Sequence, residues 1–369
     1  LAVALAHGVT RRAWPERPGR ALLVATMVSF QPMLTFTTSV LSNEGLEVAL
    51  VCACLLILLG TVRQAWGLGR AVGLGVLVGL GLLTRMSFLS VFPLLALCFA
   101  WRALQVRREG RRLWRELGLW ALALVTALGI GGWWYADRLS GSSTSLLGVY
   151  GPIGARPSVR LIEFLWHYGW IRLYGLLIRA YWGNFGWLDA SFPYWLSTAL
   201  LGATCAAALL ALWGLARSLP WRKRQADRVF GLLLLAWPTL CYVAFYTYLD
   251  YRTAHDLGGR FGLQGRYYLP AIVGQMAVLF LGLVQPVPRR WRRGFLWALG
   301  AAMVALNLYS LFLTIAPRYY GTAGVLRWSA QAALLQPVSL GLLRVLTIGF
   351  LAAVAALLAA LRRALAPEP

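Results

Sequence analysis

The sequence predicts an all-α, polytopic transmembrane bundle of about ten spans. Three observations predict it: apolar residues lie in unbroken blocks, the blocks approach a bilayer in length, and basic residues collect in every second connection. Sixty per cent of the 369 residues are hydrophobic and 13% are charged, which leaves too few polar groups to cover a soluble domain of this size.

Along the chain, residues 1–9 read as the tail of a span, and the chain opens with Leu1, so an earlier span and first outer loop are expected before it. Blocks follow at 21–41, 44–61, 116–136, 195–215, 229–249, 267–284, 294–315 and 340–361. At about 1.5 Å rise per residue, each comes close to the hydrocarbon thickness of a membrane. A longer run, 70–101, is interrupted by Thr84-Arg85-Met86-Ser87. Two short helices meeting at Arg85 are expected there, because a cation at mid-bilayer is costly. Gly73, Gly75, Gly79 and Gly81 in its first half include a small-xxx-small pattern suited to close helix packing. Cys52, Cys54, Cys98, Cys205 and Cys241 all fall inside spans at no metal-ligand spacing and read as packing residues.

The net charge of +23 would point to nucleic acid in a soluble protein. Its distribution excludes that partner. Segments 10–20, 62–70, 102–115, 217–228, 289–293 and 362–363 alternate with the others and hold 23 of the 35 basic residues, against 11 in the opposite connections. This is the positive-inside asymmetry, and it puts the C-terminus in the cytoplasm. Cysteine-accessibility labelling is therefore expected to find a cysteine at Ser142 outside and cysteines at Gln105 and Gln225 inside; Ser142 and Gln225 on one side would break this topology.

The whole chain, 1–369, reads as one transmembrane domain whose single large connection, 137–194, is external. Its first part, 140–158, is rich in Gly, Ser and Pro and reads as a loop. Its second part, 161–188, mixes Trp166, Tyr168, Trp170, Tyr174, Tyr181 and Trp182 with Glu163, His167, Arg172 and Arg179. That mixture suits helices lying in the interface, with rings at headgroup depth.

Charges are rare on the outer side. Asn43-Glu44 and Glu47 sit at the junction of two spans, Arg85 between short helices, Asp137 and Arg138 at the start of the large loop and Asp189 at its end. Asp250, Arg252, His255, Asp256, Arg260, Gln264 and Arg266 share one later loop, and Arg318 follows in the last. A loop charge is ordinarily solvated, as expected of Arg318. Glu44 and Arg85 differ, because junctional charges in a membrane default to a functional reading. His255 and Asp256 beside Asp250, and Glu44, are the residues that would hold a divalent ion, although such a loop trio more often serves structure or solvent contact. Arginines bind phosphate oxygens bidentately and a carboxylate can take a proton from an attacking hydroxyl. Together they fit group transfer from a lipid-linked phosphate carrier, or simple lipid binding.

Four segments carry a resemblance. ALLVATMVSFQPMLTFTTSVLSNEGLEVAL (21–50) resembles the part of bacterial GT-C-type glycosyltransferases where a proline-containing span leads to an Asn-acidic pair. GLLTRMSFLSVFP (81–93) resembles their small-Leu-Leu-Thr-Lys/Arg segment. YWGNFGWLDASFPYW (181–195) is similar to a signature of related bacterial membrane proteins of unassigned function, and QGRYYLP (264–270) to their Gln-Gly-Arg-Tyr-x-x-Pro motif. The resemblance implies an inverting enzyme like the protein O-mannosyltransferases or the aminoarabinose transferases of lipid A. Such an enzyme sits in the bacterial inner membrane and takes a polyprenyl-phosphate sugar on the outer leaflet. Its acceptor would be a lipid, glycan or protein, with membrane lipids as the remaining partners and a divalent cation as a possible cofactor. It implies catalytic roles for Glu44 and Asp137, with the principal acidic residue in an outer loop before residue 1. Carrier-phosphate contacts fall to Arg85, Arg138, Arg260, Gln264 and Arg266. The segment Ala136-Asp137-Arg138-Leu139-Ser140 departs from the family's usual Arg-Asn…Tyr-Gly-Asp pattern. The other readings are a lipid-linked saccharide transporter or flippase and a non-catalytic envelope-assembly protein. A transporter should carry broken helices and mid-bilayer polar residues, and Gln31, Asn307 and Arg344 are the few present.

Overall fold

A computed structural model of the chain describes residues 1–40, 42–63, 66–110, 113–140, 160–166, 174–186, 189–217, 223–257, 263–321 and 339–365. The architecture is an all-α polytopic membrane bundle. Helix α1 (Ala2–Ala13) is followed by α2 (Pro18–Ser29), α3 (Pro32–Ser39), α4 (Asn43–Arg63) and α5 (Leu68–Thr84). A 3-10 turn, Met86–Val91, joins α5 to α6 (Phe92–Arg108). Next come α7 (Leu113–Ala127), α8 (Trp133–Ser140), α9 (Leu161–Phe164) and α10 (Tyr174–Gly183). A two-residue hairpin, Asn184–Phe185 against Ala190–Ser191, leads to α11 (Tyr194–Arg217) and α12 (Lys223–Leu257). A 3-10 segment, Gly265–Ala271, opens α13 (Ile272–Val284); α14 (Arg292–Tyr309), α15 (Ala316–Tyr320) and α16 (Leu340–Ala364) complete the described elements.

Among the described residues, eight helical segments are long and apolar enough to cross a membrane, and the pair α2–α3, bent by 59°, makes a ninth. Helix α5 adds a short apolar helix of 17 residues. The expected break at Arg85 is present: α5 stops at Thr84, Arg85 is extended (φ −157°, ψ 146°), and the chain restarts at Met86. The bend at Gln31 has a local cause. Pro32 cannot continue the α2 ladder, and the Gln31 side chain satisfies the freed groups, accepting from the Leu34 amide at 2.5 Å and donating to the Tyr181 carbonyl at 2.6 Å.

Helices α4 and α13 form the centre, with most of each buried, while α11 and α16 are almost wholly exposed to the surroundings. The glycine spacing in α5 serves packing as anticipated. A Cβ on Gly79 would lie 2.7 Å from the Ile130 Cβ and 3.0 Å from the Ala127 carbonyl; one on Gly73 would come no closer than 3.8 Å to anything. Gly79→Leu is accordingly expected to push α7 away and lower the thermal midpoint of the purified protein, whereas Gly73→Ala should leave it unchanged. Equal midpoints for both would show that the α5–α7 contact yields freely.

The large connection, 137–194, differs from expectation in one part. Leu161, Ile162 and Trp166 are exposed, as interfacial residues should be, but Leu177, Tyr181 and Trp182 of α10 are buried in the bundle. The Trp182 indole donates to the Thr204 hydroxyl at 2.9 Å. Burial against α11 and the 3-10 segment consumes the rings that composition alone assigns to the membrane surface. Four of the five cysteines are buried, Cys205 is exposed, and all five are free.

Candidate functional site

The junction of α4 and α5 is built by short-range geometry. Asn43 donates to the Thr84 carbonyl at 3.1 Å, tying the start of α4 to the end of α5 one residue before Arg85. Glu44 and Glu47, three residues apart, share one face of α4. The third contributor is Gly265-Arg266. A Cβ on Gly265 would lie 2.1 Å from the Tyr181 amide nitrogen, so only glycine lets this backbone pack against the end of α10 and deliver Arg266.

These elements assemble a quartet whose two glutamates are buried. Arg85 Nη1 lies 3.0 Å and Arg266 Nε 3.3 Å from the same oxygen, Glu44 Oε1. Arg85 Nε lies 3.7 Å from Glu47 Oε2. Glu47 Oε1 accepts from the Ser87 hydroxyl at 2.6 Å and from the Tyr242 hydroxyl at 2.9 Å. The Arg85 guanidinium stands 5.2 Å from the Tyr267 ring centroid, and Tyr267 stacks on Tyr246 at 5.1 Å. Exposure falls inward: the side chains of Arg266 and Arg85 keep 25% and 19%, Glu44 9% and Glu47 none. Two arginines and two glutamates cancel in charge, so the site is neutral as a unit, with its cations nearest the solvent.

The resemblance assigns Glu44 a catalytic role and Arg85 and Arg266 the carrier phosphate, and the fold brings these three together. In the sequence Glu47 has a place at the junction and no role; the fold makes it the most deeply buried member. Ser87, Tyr242, Tyr246 and Tyr267 were missed, although Tyr242 and Tyr246 stand at i,i+4 on α12 and so share a face. Asp137 is exposed on α8, two residues past Tyr135, whose hydroxyl donates to the Leu82 carbonyl at 3.1 Å. Gln264 precedes the 3-10 segment in an extended conformation. Arg260 and the side chains of Arg138 and Asp256 lie outside the described residues.

Of the residues expected to hold a divalent ion, Glu44 and His255 lie among the described side chains. Among the described residues no three of His, Cys, Asp and Glu gather to hold one. Glu44 already faces two guanidiniums, which would repel a metal, and the half-buried His255 ring sits beside Tyr251 at 5.7 Å. Arg318, expected to be solvated, pairs with Asp189 Oδ2 at 3.3 Å on an exposed surface. The Asp189 carboxyl is held below the usual carboxylate range, chiefly because the Tyr319 hydroxyl donates to it.

Two cavities flank the quartet's helices. One, about 370 Å³ and apolar, lies between α5, α6 and α7 and is lined by Leu74, Val78, Phe92, Leu95, Trp120 and Leu124. The other is at the arginine-rich end.

No curated protein and no solved structure matches the chain. The family model described as "Predicted membrane protein (DUF2142)" matches residues 2–275, a stretch that contains every member of the quartet. With well over half its length matched, the chain belongs to this family of multi-helix membrane proteins.

Proposed function

We propose that the protein is a GT-C-type glycosyltransferase that moves a sugar from a polyprenyl-phosphate carrier to an acceptor hydroxyl at the outer face of the bacterial inner membrane. The observation that carries this reading is the sharing of Glu44 Oε1 by two guanidiniums that solvent can reach. A phosphate offers two oxygens to each guanidinium fork and competes with the single shared carboxylate oxygen. Its arrival frees Glu44 to accept the acceptor's proton. The bond between the sugar C1 and the phosphate oxygen breaks, and its electron pair leaves with the polyprenyl phosphate. A new bond from C1 to the acceptor oxygen forms, and the hydroxyl proton passes to Glu44. Negative charge grows on the leaving phosphate, where Arg85 and Arg266 stand ready to meet it. The apolar cavity between α5, α6 and α7 supports the reading by offering space to a lipid chain.

One observation favours the transporter reading: the 59° break at Gln31, a feature of alternating-access helices. Its polar groups are fully engaged by Leu34 and Tyr181, as in a fixed bend. Reconstituted protein given labelled polyprenyl-phosphate sugar separates the two, since transfer strips the sugar from its carrier and transport leaves the two joined.

The arginines give the direct test. Arg266→Ala leaves Glu44 paired with Arg85, so the fold should survive while affinity for polyprenyl phosphate weakens about 10- to 100-fold, from the loss of one charge-assisted contact. Arg85→Ala is expected to weaken binding at least as much and also to destabilise, because the enclosed Glu47 then loses its guanidinium while Glu44 keeps only Arg266. Unchanged affinity in both variants, each still folded, discards the assignment.

A further inference from the structure

The second cavity lies at the end of the bundle that carries the arginine-rich loops, away from the quartet. Residues 14–17, between α1 and α2, close over the adjacent ends of α4, α12 and α13, with the Trp14 ring edge-on to Phe280 at 5.8 Å. The enclosed space is about 300 Å³. Arg12, Arg17 and Arg20 line it on one side, with Glu16 as the one carboxylate among the described lining residues. Leu59, Val62 and Leu281 line the other side.

Orientation in the membrane requires basic residues at this end, but it places no demand on where their heads point. The exposed Arg12 and Arg17 and the half-buried Arg20 line one cavity. The Arg12 guanidinium is turned back onto the Leu56 carbonyl of α4. Arg20 is half-buried and experiences Arg17 and Arg292 as neighbouring like charges. Arg292, itself half-buried, is held by a 3.0 Å hydrogen bond from its Nε to the Val287 carbonyl. Like charges gathered beside apolar walls raise one another's energy, because the low-dielectric surroundings screen them poorly. An anion relieves that cost.

We propose that this cavity binds a phosphate group borne on an apolar body. The guanidinium forks would take the phosphate oxygens, and the leucine and valine walls would take the body. Two sources share this chemistry: an anionic phospholipid headgroup from the adjoining leaflet, and a soluble phosphate. The site is separate from the outer quartet and does not depend on glycosyl transfer.

The test uses the full chain, purified in neutral detergent and in phosphatidylcholine nanodiscs with or without phosphatidylglycerol. Native mass spectrometry counts retained phosphatidylglycerol, and calorimetry follows inorganic phosphate. The expected result is retention of one or both by the unaltered protein, about tenfold weaker binding in Arg17→Gln, and loss in the double variant Arg12→Gln/Arg20→Gln. The exposed pair Arg107→Gln/Arg108→Gln, on the same face but outside the cavity, should bind as the unaltered protein does. Phosphatidylglycerol retained without phosphate binding assigns the site to lipid; phosphate bound without lipid assigns it to a soluble ligand. Arg17 is exposed, so its replacement leaves the packing intact even if the double variant fails to fold. Binding of neither probe, or equal binding by the unaltered protein and Arg17→Gln, overturns the proposal. Arg266→Ala should not alter binding here, so this proposal and the outer-face reading fail independently.

Discussion

Glu47→Ala is expected to be the most damaging single change at the outer site, costing about 3–5 kcal/mol, the range for removing one partner of a buried ion pair. Three groups lose their acceptor at once: the Ser87 hydroxyl at 2.6 Å, the Tyr242 hydroxyl at 2.9 Å and the Arg85 guanidinium at 3.7 Å. The two hydroxyls gain no water in exchange, because Glu47 is fully enclosed. Arg85 would then depend on Glu44 alone, which it shares with Arg266. The measurements are the thermal midpoint and the monodisperse fraction on size-exclusion chromatography. Glu47→Gln retains an acceptor oxygen for the two hydroxyls and should fall between the alanine variant and the unaltered protein. An alanine variant as stable as the unaltered protein would show that solvent enters this site freely.

Glu44→Gln should separate folding from activity. The amide keeps the carboxylate's shape, Arg85 keeps Glu47, and Arg266 is exposed enough to be solvated. The thermal midpoint should therefore change little. Transfer should fall on the order of 10²-fold or more, because an amide cannot take the acceptor's proton. The assay is sugar transfer from a polyprenyl-phosphate donor by full-length protein. Glu163→Gln, an exposed glutamate on α9 beyond the quartet, serves as the control. Glu47→Gln cannot serve, since its burial couples it to stability. Turnover equal to that of the unaltered protein in Glu44→Gln would reduce this residue to a helix-start charge, worth well under about 1 kcal/mol.

Much of the framework is legible along the chain because its causes are local. Apolar block length determines where spans lie. The break at Arg85 follows from the cost of a cation between two apolar runs, and the bend at Gln31 from the proline after it. The glycine spacing in α5 announced a close contact, and Gly79 makes one with α7. Even the outer site shows in part, since Glu44, Arg85 and Arg266 stand out as charges where charges are scarce.

What the tertiary structure alone decided is which helices touch and which face each one turns inward. Helices α4 and α16 are both strongly apolar, yet α4 is the bundle's centre and α16 faces outward almost entirely. In a membrane, lipid and protein interior are equally apolar, so hydrophobicity does not mark the inward face. Tyr181 and Trp182 read as membrane-surface rings for the same reason, and packing buries them. The bond from Tyr242 to Glu47 spans 195 residues, and no local pattern reports a contact at that distance. Glu44 and Glu47 look alike in the sequence, three positions apart on one helix. Their difference arises from Ser87, Tyr242 and the 3-10 segment at Gly265, which together enclose Glu47 and leave Glu44 facing the arginines at the rim.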